Sequence, residues 1–401
     1  MSASLDEFAE RKLAALEQRN LRRTLIETER LGPVEVKRRG KRLISFSCND
    51  YLNLSQHQAI KAAAVEATEK YGVGAGASRL VTGNHPLFAE LEAKLAKLKG
   101  AEAACVFGSG YLANTGIIPA LAGVDDMVVV DKLSHACIFA GAKLTGGALH
   151  VFRHNDTGHL GEILAAHRAD HPRALIVTDG VFSMDGDLAP LGELSALAQG
   201  ADVPLMVDDA HGFGVLGEDG RGAVSALGTP QPAIYVATLG KAAGCAGAFV
   251  AGSEALIEFL IQRARTWVFS TAPPPALAAA GLAALKILSQ EPEHRQRLHQ
   301  TINYLREGAR QRGLSLGGAP GIEDSSLRTP IQPLLIGEAS RAMAVSARLM
   351  ERGYWVAAIR PPTVPAGTSR LRITLSAAHT REQIDGLLDA LVVALAEAEP
   401  A

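Results

Sequence analysis

Short apolar runs alternate along this chain with longer stretches of helical period. The runs at 104–107, 127–130, 174–178, 205–207, 234–237 and 248–251 are nearly continuously apolar, as in strands covered on both faces. Helical spans between most of them predict crossover connections and a mostly parallel sheet. Residues 86–99 read as a helix: Leu87, Leu91, Leu95 and Leu98 share a face, Pro86 suits the first turn and Gly100 the stop. The Ala-rich stretch 276–288 carries Lys286 and is too short to span a membrane, so it reads as a buried helix. In such sheets ligands gather beyond the carboxyl ends of the strands, so the residues ending each run carry the functional argument.

After about residue 290 the texture changes. A charged helix at 291–312 and a Gly/Ser-rich stretch at 313–326 come first. Strand, helix and strand follow at 331–336, 340–352 and 355–359, then a Pro-rich turn, a strand at 370–375 and a last helix from Thr380. At the other end, residues 5 to about 29 have a helical period. The expected organisation is therefore an N-terminal helical arm (1–48) packing beside a small C-terminal α+β domain (291–401), with a large α/β domain (49–290) between them.

Charge narrows the functional classes. Lys plus Arg number 40 and Asp plus Glu 42, a formal net charge of −2, which does not suit a nucleic-acid partner. The basic cluster at 37–42 is short, lacks aromatics and reads as solvated surface. The charged N-terminus has no secretory apolar core and no uncharged 18-residue apolar stretch occurs, so neither secretion nor a membrane is expected. Cys48, Cys105, Cys137 and Cys245 form no C-x-x-C pair and read as free thiols of a cytoplasmic protein.

Chemistry concentrates at the strand ends. T-L-G-K (238–241) ends one apolar run and V-D-D-A-H-G (207–212) ends another, bringing the Lys241 amine, the Asp208 carboxylate and the His211 imidazole to one sheet edge. A crowded, partly desolvated amine is nucleophilic enough to form a Schiff base, and a nearby carboxylate can hold a pyridinium nitrogen protonated. That is equipment for pyridoxal phosphate (PLP) chemistry. The adjacent acids Asp208 and Asp209 also admit a metal or acid–base pair, or a plain turn with one acid buried. F-G-S-G-Y (107–111) follows a strand and opens a helix, a place where phosphate finds unpaired N–H groups, although an ordinary glycine turn reads equally well. G-V-G-A-G (72–76) follows a helix and lacks the dinucleotide spacing. His150, His154 and His159 are irregularly spaced and read as surface or turn residues rather than metal ligands; no metal is expected. His135 lies beyond a strand end, where it can stack on a ring or act as acid–base. In I-R-P-P-T-V-P-A-G-T-S-R-L-R (359–372) prolines present Arg360, Arg370 and Arg372, whose forks suit a carboxylate; a solvated loop is the alternative.

Taken together, N-D-Y-L-N-L, L-S-H-A, T-D-G-V-F-S-M-D-G-D-L-A-P-L, V-D-D-A-H-G-F-G-V and T-L-G-K, in that order, resemble the α-oxoamine synthases, PLP enzymes of fold type I. The resemblance runs from about Leu21 to Thr380. It implies a homodimer with Lys241 as the Schiff-base lysine, Asp208 on the pyridinium nitrogen and His211 on the phenolic oxygen. It also implies Gly110, Tyr111 and Thr238 at the phosphate, Ser183 on the cofactor and His135 stacked on its ring. The implied substrate contacts are Arg22 (with Arg23 as the alternative), Asn49, His135 and Thr363, with Arg372 on the carboxylate and Arg360 as alternative or second contact. S-T-A-P-P-P (270–275) would reach the neighbouring subunit's phosphate. The segment 359–372 looks most like members that condense L-alanine with a pimeloyl thioester, carried by CoA or by an acyl carrier protein. Siblings using glycine with acetyl- or succinyl-CoA, or serine with a long acyl-CoA, share the core residues. A nonenzymatic PLP-binding regulator would bring a DNA-binding domain, for which the short helical arm and balanced charge give no sign.

Overall fold

The structure is a computed structural model, and it describes residues 4–18, 21–318 and 329–398. The N-terminal segment forms β1 (Thr28–Arg30), β2 (Glu35–Arg38) and β3 (Lys41–Ser45). The large unit holds β4 (Ala103–Phe107), β5 (Met127–Asp131), β6 (Ala148–Phe152), β7 (Ala174–Asp179), β8 (Leu205–Asp208), β9 (Ile234–Thr238) and β10 (Ala248–Gly252). The C-terminal part holds β11 (Ile331–Gly337), β12 (Tyr354–Trp355), β13 (Ala357–Ile359) and β14 (Ser369–Thr374).

The central sheet runs β4-β10-β9-β8-β7-β5-β6. Pairings β6/β5, β5/β7, β7/β8 and β8/β9 are parallel. Both faces are packed: Val129, Ile176, Val207 and Phe249 enter one apolar cluster, while Val128, Val130, Val177, Met206 and Val250 enter the other. Alternate residues thus bury on opposite sides, which is why these strands read as unbroken apolar runs. β10 departs from the parallel pattern, pairing antiparallel with β9 and β4. The tight turn at 239–247 holds no crossover helix, so the chain can only return antiparallel. β6 was hidden in the sequence because it is an edge strand whose apolar run is broken by half-buried His150 and whose Val151 is exposed.

The N-terminal segment differs most from expectation. Its helix ends at Gln18 rather than near residue 29, and three charged strands follow within the 1–48 segment expected to be a helical arm. Arg39 (φ 51°) and Gly40 (φ 76°) turn β2 into β3 as a two-residue hairpin. β3 pairs in parallel with β12, so this segment joins the C-terminal part through a shared four-stranded sheet. The three-stranded sheet β11-β14-β13 is antiparallel and is covered by helix Ala339–Glu351. Helix Glu293–Gln311 packs on helix Arg381–Glu397. The Gly/Ser-rich stretch at 313–326 lies mostly outside the described residues. No helix among the described residues is long and apolar enough to cross a membrane.

Candidate active site

Five parallel strands end at one edge of the sheet. β4 ends at Phe107 ahead of Ser109, which caps helix Gly110–Leu121. β5 leads to His135, β7 to Ser183, β8 ends on Asp208 and β9 leads to Lys241. The strand register sets Asp179 beside Asp208.

Asp208 is 4% exposed. Its Oδ2 accepts from Asn114 Nδ2 at 2.6 Å and its Oδ1 from the backbone N–H of Ala210 at 3.0 Å. Both donors are neutral, and a buried carboxylate so held gains most from a cation that joins it. Lys241 Nζ lies 2.7 Å from His211 Nε2, and His211 Nδ1 lies 2.6 Å from the Tyr51 hydroxyl. Burial, opposed by Asp208 and aided by the Arg372 charge, brings the Lys241 amine down to a pKa of about 8. Burial and the neighbouring Lys241 and Arg372 charges hold His211 well below its ordinary pKa, so its ring is neutral. Burial pushes the Tyr51 hydroxyl up to about 12, keeping it protonated.

His135 caps helix Ala136–Leu144, and its backbone N–H donates to Asp179 Oδ2 at 2.9 Å. Burial lowers its pKa against the pull of Asp208. Arg372 is fixed on three sides: Nε donates to Ser183 O at 2.6 Å, and Nη1 to Thr374 Oγ1 at 2.9 Å and Asn49 Oδ1 at 3.2 Å. Asn49 also accepts from Tyr51 at 3.3 Å, so Lys241, His211, Tyr51, Asn49 and Arg372 form one connected chain.

The other expected residues lie in varied settings. Gly110 opens the helix beside half-exposed Tyr111, and a Cβ added at Gly110 would meet open space. Thr238 Oγ1 donates to Gly247 O at 2.9 Å and accepts from Gly240 N at 3.1 Å, closing the turn that delivers Lys241. Arg22 turns back to Glu17 at 3.3 Å, whereas Arg23 Nη2 reaches Thr363 Oγ1 at 3.4 Å. Arg360 follows β13 directly, half-buried ahead of the Pro-rich turn, and Arg370 is buried in a pair with Asp185. A plain turn would bury only one of the two acids, but both are buried: Asp209 too is enclosed, accepting from Tyr235 and from Ala223 N, each at 2.8 Å. His154 is no surface residue; it bridges Asp131 and Asp187.

Tyr51, Asn114 and Asp179 escaped the sequence reading. Tyr51 stands two residues past Asn49, and Asp179 ends a strand, so both had a positional signal; Asn114, one turn into a helix, had none. Among the described residues, His57, Glu291 and His294 gather within 4.8 Å. Each histidine accepts an N–H at Nδ1, from Ala59 N at 3.3 Å and Arg297 Nη2 at 3.0 Å. The ring protons therefore sit on the Nε2 atoms facing Glu291, the reverse of what metal coordination needs.

Fold and site together define a lysine-centred enzyme at the end of a parallel sheet, and the chain belongs to the aminotransferase class I and II family, whose model matches residues 41–391. Within that family, it is 50% identical over 388 residues to an 8-amino-7-oxononanoate synthase of Beijerinckia indica, covering 96% of this chain and 97% of the relative. A structure of 8-amino-7-oxononanoate synthase from Francisella tularensis is 32% identical, with TM-score 0.75, over 88% of this chain and 98% of that one. The S. paucimobilis serine palmitoyltransferase with a bound PLP–myriocin aldimine is 30% identical, with TM-score 0.91, over 99% of both chains.

Proposed function

We propose that this chain is an 8-amino-7-oxononanoate synthase, condensing L-alanine with a pimeloyl thioester and releasing CO2 and the free thiol. The observation that carries the chemistry is the Lys241 amine, 2.7 Å from a neutral His211 and beside buried Asp208. The residues fit PLP. Asp208, held only by neutral hydrogen-bond donors, suits a pyridinium nitrogen. The turn at Ser109, Gly110 and Tyr111 offers a helix N-terminus to a phosphate, and Lys241 is the attachment point. Neutral His211 and protonated Tyr51 would supply hydrogen bonds to the cofactor's phenolic oxygen, and Ser183 on the loop after β7 would be a further contact. PLP, when bound, supplies an electron sink for a carbanion at the amino-acid Cα.

The chain's own groups do the rest. Lys241, with its pKa near 8, yields a neutral amine that takes the Cα proton. Arg372, braced by Ser183, Asn49 and Thr374, binds the amino-acid carboxylate in a fixed orientation. His135, on the loop after β5 and near enough to feel the Asp208 and Lys241 charges, would donate to the oxygen of the developing ketone. Arg23 and Thr363 form the contact at the acyl end, where Arg22 was the first choice from sequence and Arg360 stands close in the chain.

The same reading makes the protein a cytoplasmic homodimer. Exposed Val73, Leu80, Val81 and Phe269 lie on two segments joined where Ser78 bridges Thr271 and Ala272 N donates to Ala77 O, and a second copy would cover them. Residues 270–275 would then reach the partner's phosphate site. An acyl carrier protein is the alternative bearer of the thioester.

Thiol release from purified PLP-loaded protein tests the reading. Release with L-alanine and pimeloyl-CoA, and none with glycine plus acetyl- or succinyl-CoA or serine plus palmitoyl-CoA, is expected. Release with a glycine or serine pair would keep the family and overturn the substrate.

A further inference from the structure

The loop at 180–188 leaves β7 and is closed on itself. Phe182 N donates to Asp187 O at 3.0 Å, Gly186 N donates to Phe182 O at 2.8 Å, and Val181 bridges Leu188. One flank of this loop meets the C-terminal sheet: Ser183 O accepts from Arg372, Asp185 pairs with Arg370, and Gly186 O accepts from Thr329 Oγ1 at 2.8 Å. The opposite flank is held by His154 and by Asn155, whose Nδ2 donates to Asp187 Oδ2 and to Leu188 O, each at 3.0 Å, and whose backbone N–H donates to Asp131 Oδ2 at 2.8 Å. His154 Nε2 lies 2.8 Å from Asp187 Oδ2, and Phe182 packs edge-on against its ring at 4.4 Å between centroids.

The other ring nitrogen, Nδ1, lies 2.9 Å from Asp131 Oδ1 at the end of β5. That carboxylate also accepts from Leu133 N at 2.7 Å, while Asp131 O accepts from Ser134 N at 3.1 Å. These bonds shape the turn that delivers His135. One imidazole therefore stands between the wall of the cleft that bears His135 and the wall that bears Ser183 and Arg372.

We propose that His154 is a positioning residue, clamped between Asp131 and Asp187, that sets the separation of His135 from Arg372 and so governs amino-acid binding. Only a ring protonated on both nitrogens donates to both carboxylates. Burial alone would favour the neutral ring, but the two carboxylates outweigh it and hold the pKa at about 10, so the ring is charged at neutral pH. The inference rests on the α-oxoamine synthase reading for the roles of Arg372 and His135.

The test uses PLP-loaded wild type, His154→Gln and Asp187→Asn. Glutamine can donate toward one carboxylate but faces the other with its carbonyl; Asp187→Asn keeps the Asp131 half of the clamp and serves if the first variant does not fold. The dissociation constant for L-alanine is read from the visible absorbance of the bound cofactor, and the KM for pimeloyl-CoA from thiol release. Displacement of the carboxylate anchor should raise the alanine constant about tenfold or more, with the thioester KM within about twofold. Variants that bind alanine as wild type does, or in which both constants rise together, overturn the clamp. A wild type that gives no absorbance change with alanine overturns the underlying reading and this inference with it.

Discussion

His211 and His154 each hydrogen-bond through both ring nitrogens in a largely buried setting, yet their partners differ in kind. His211 meets a phenol and an amine; His154 meets two carboxylates. Burial pushes both rings toward neutrality. Around His211 the neighbouring charges, Lys241 and Arg372, push the same way, and the ring stays neutral. Around His154 the carboxylates oppose burial and win, giving a cation near pKa 10. His154 follows the edge strand β6 and His211 follows β8, with β7 and β5 between them in the sheet, and partner chemistry rather than depth separates a ring that relays hydrogen bonds to the Lys241 amine from one that bridges two carboxylates.

The largest effect should follow from removing the amine that His211 serves. Under the proposed function Lys241→Ala deletes both the attachment point and the base, and turnover should fall by about 10³-fold or more. Borohydride treatment of PLP-loaded wild type should add the reduced cofactor mass to the peptide bearing Lys241, and the variant should take up none there. A variant with ordinary turnover would break the comparison at its functional end.

Removing the ring at the other site should cost stability first. His154→Phe leaves Asp131 and Asp187 buried without their shared cation, a loss of about 3–5 kcal/mol by denaturant unfolding. The pH dependences should have opposite signs. With a folded pKa raised to about 10 over an ordinary value of 6.5, the His154 contribution is complete below about pH 6.5 and is lost as pH rises toward 10. With a depressed folded pKa, the His211 contribution is present above about pH 6.5 and is lost as pH falls below it. Unfolding free energies of wild type, His154→Gln and His211→Gln from pH 5 to 10 check both. Differences from wild type that trend the same way with pH would show that the two rings do not carry opposite charges.

How much of this was legible in the sequence follows from where each residue gets its environment. The sheet interior was legible because burial on both faces writes continuous apolar runs, and Lys241, Asp208 and His211 were legible because each sits at or just past the end of one. β1 to β3 were not, since they are short and rich in charged residues, with few apolar side chains to write a pattern. His154 lies in a turn, as read, but its burial and its two carboxylate partners were not legible. The partners lie 23 and 33 residues away, at the end of β5 and on the loop after β7, and only the parallel sheet brings them together. Asn114 is hidden likewise, being 94 residues from Asp208.

The smallest expected effect concerns the N-terminal arginines, where sequence pattern and geometry select different residues. Arg22 sits in an exposed pair with Glu17, the two side chains 53% and 65% exposed, and such pairs contribute about 0–1 kcal/mol. Arg23 instead spans 340 residues of chain to the Thr363 hydroxyl, beside the Pro-rich turn that leads to the strand of Arg372. Arg22→Ala should leave unfolding free energy and both KM values close to wild type, whereas Arg23→Ala should raise the KM for pimeloyl-CoA by a few fold with unchanged alanine affinity. That would separate the acyl-end contact from the His154-dependent alanine site, because the two variants would move different constants. A larger thioester effect from Arg22→Ala would mean that the arm turns over when the acyl substrate binds, exchanging the Glu17 pair for a substrate contact.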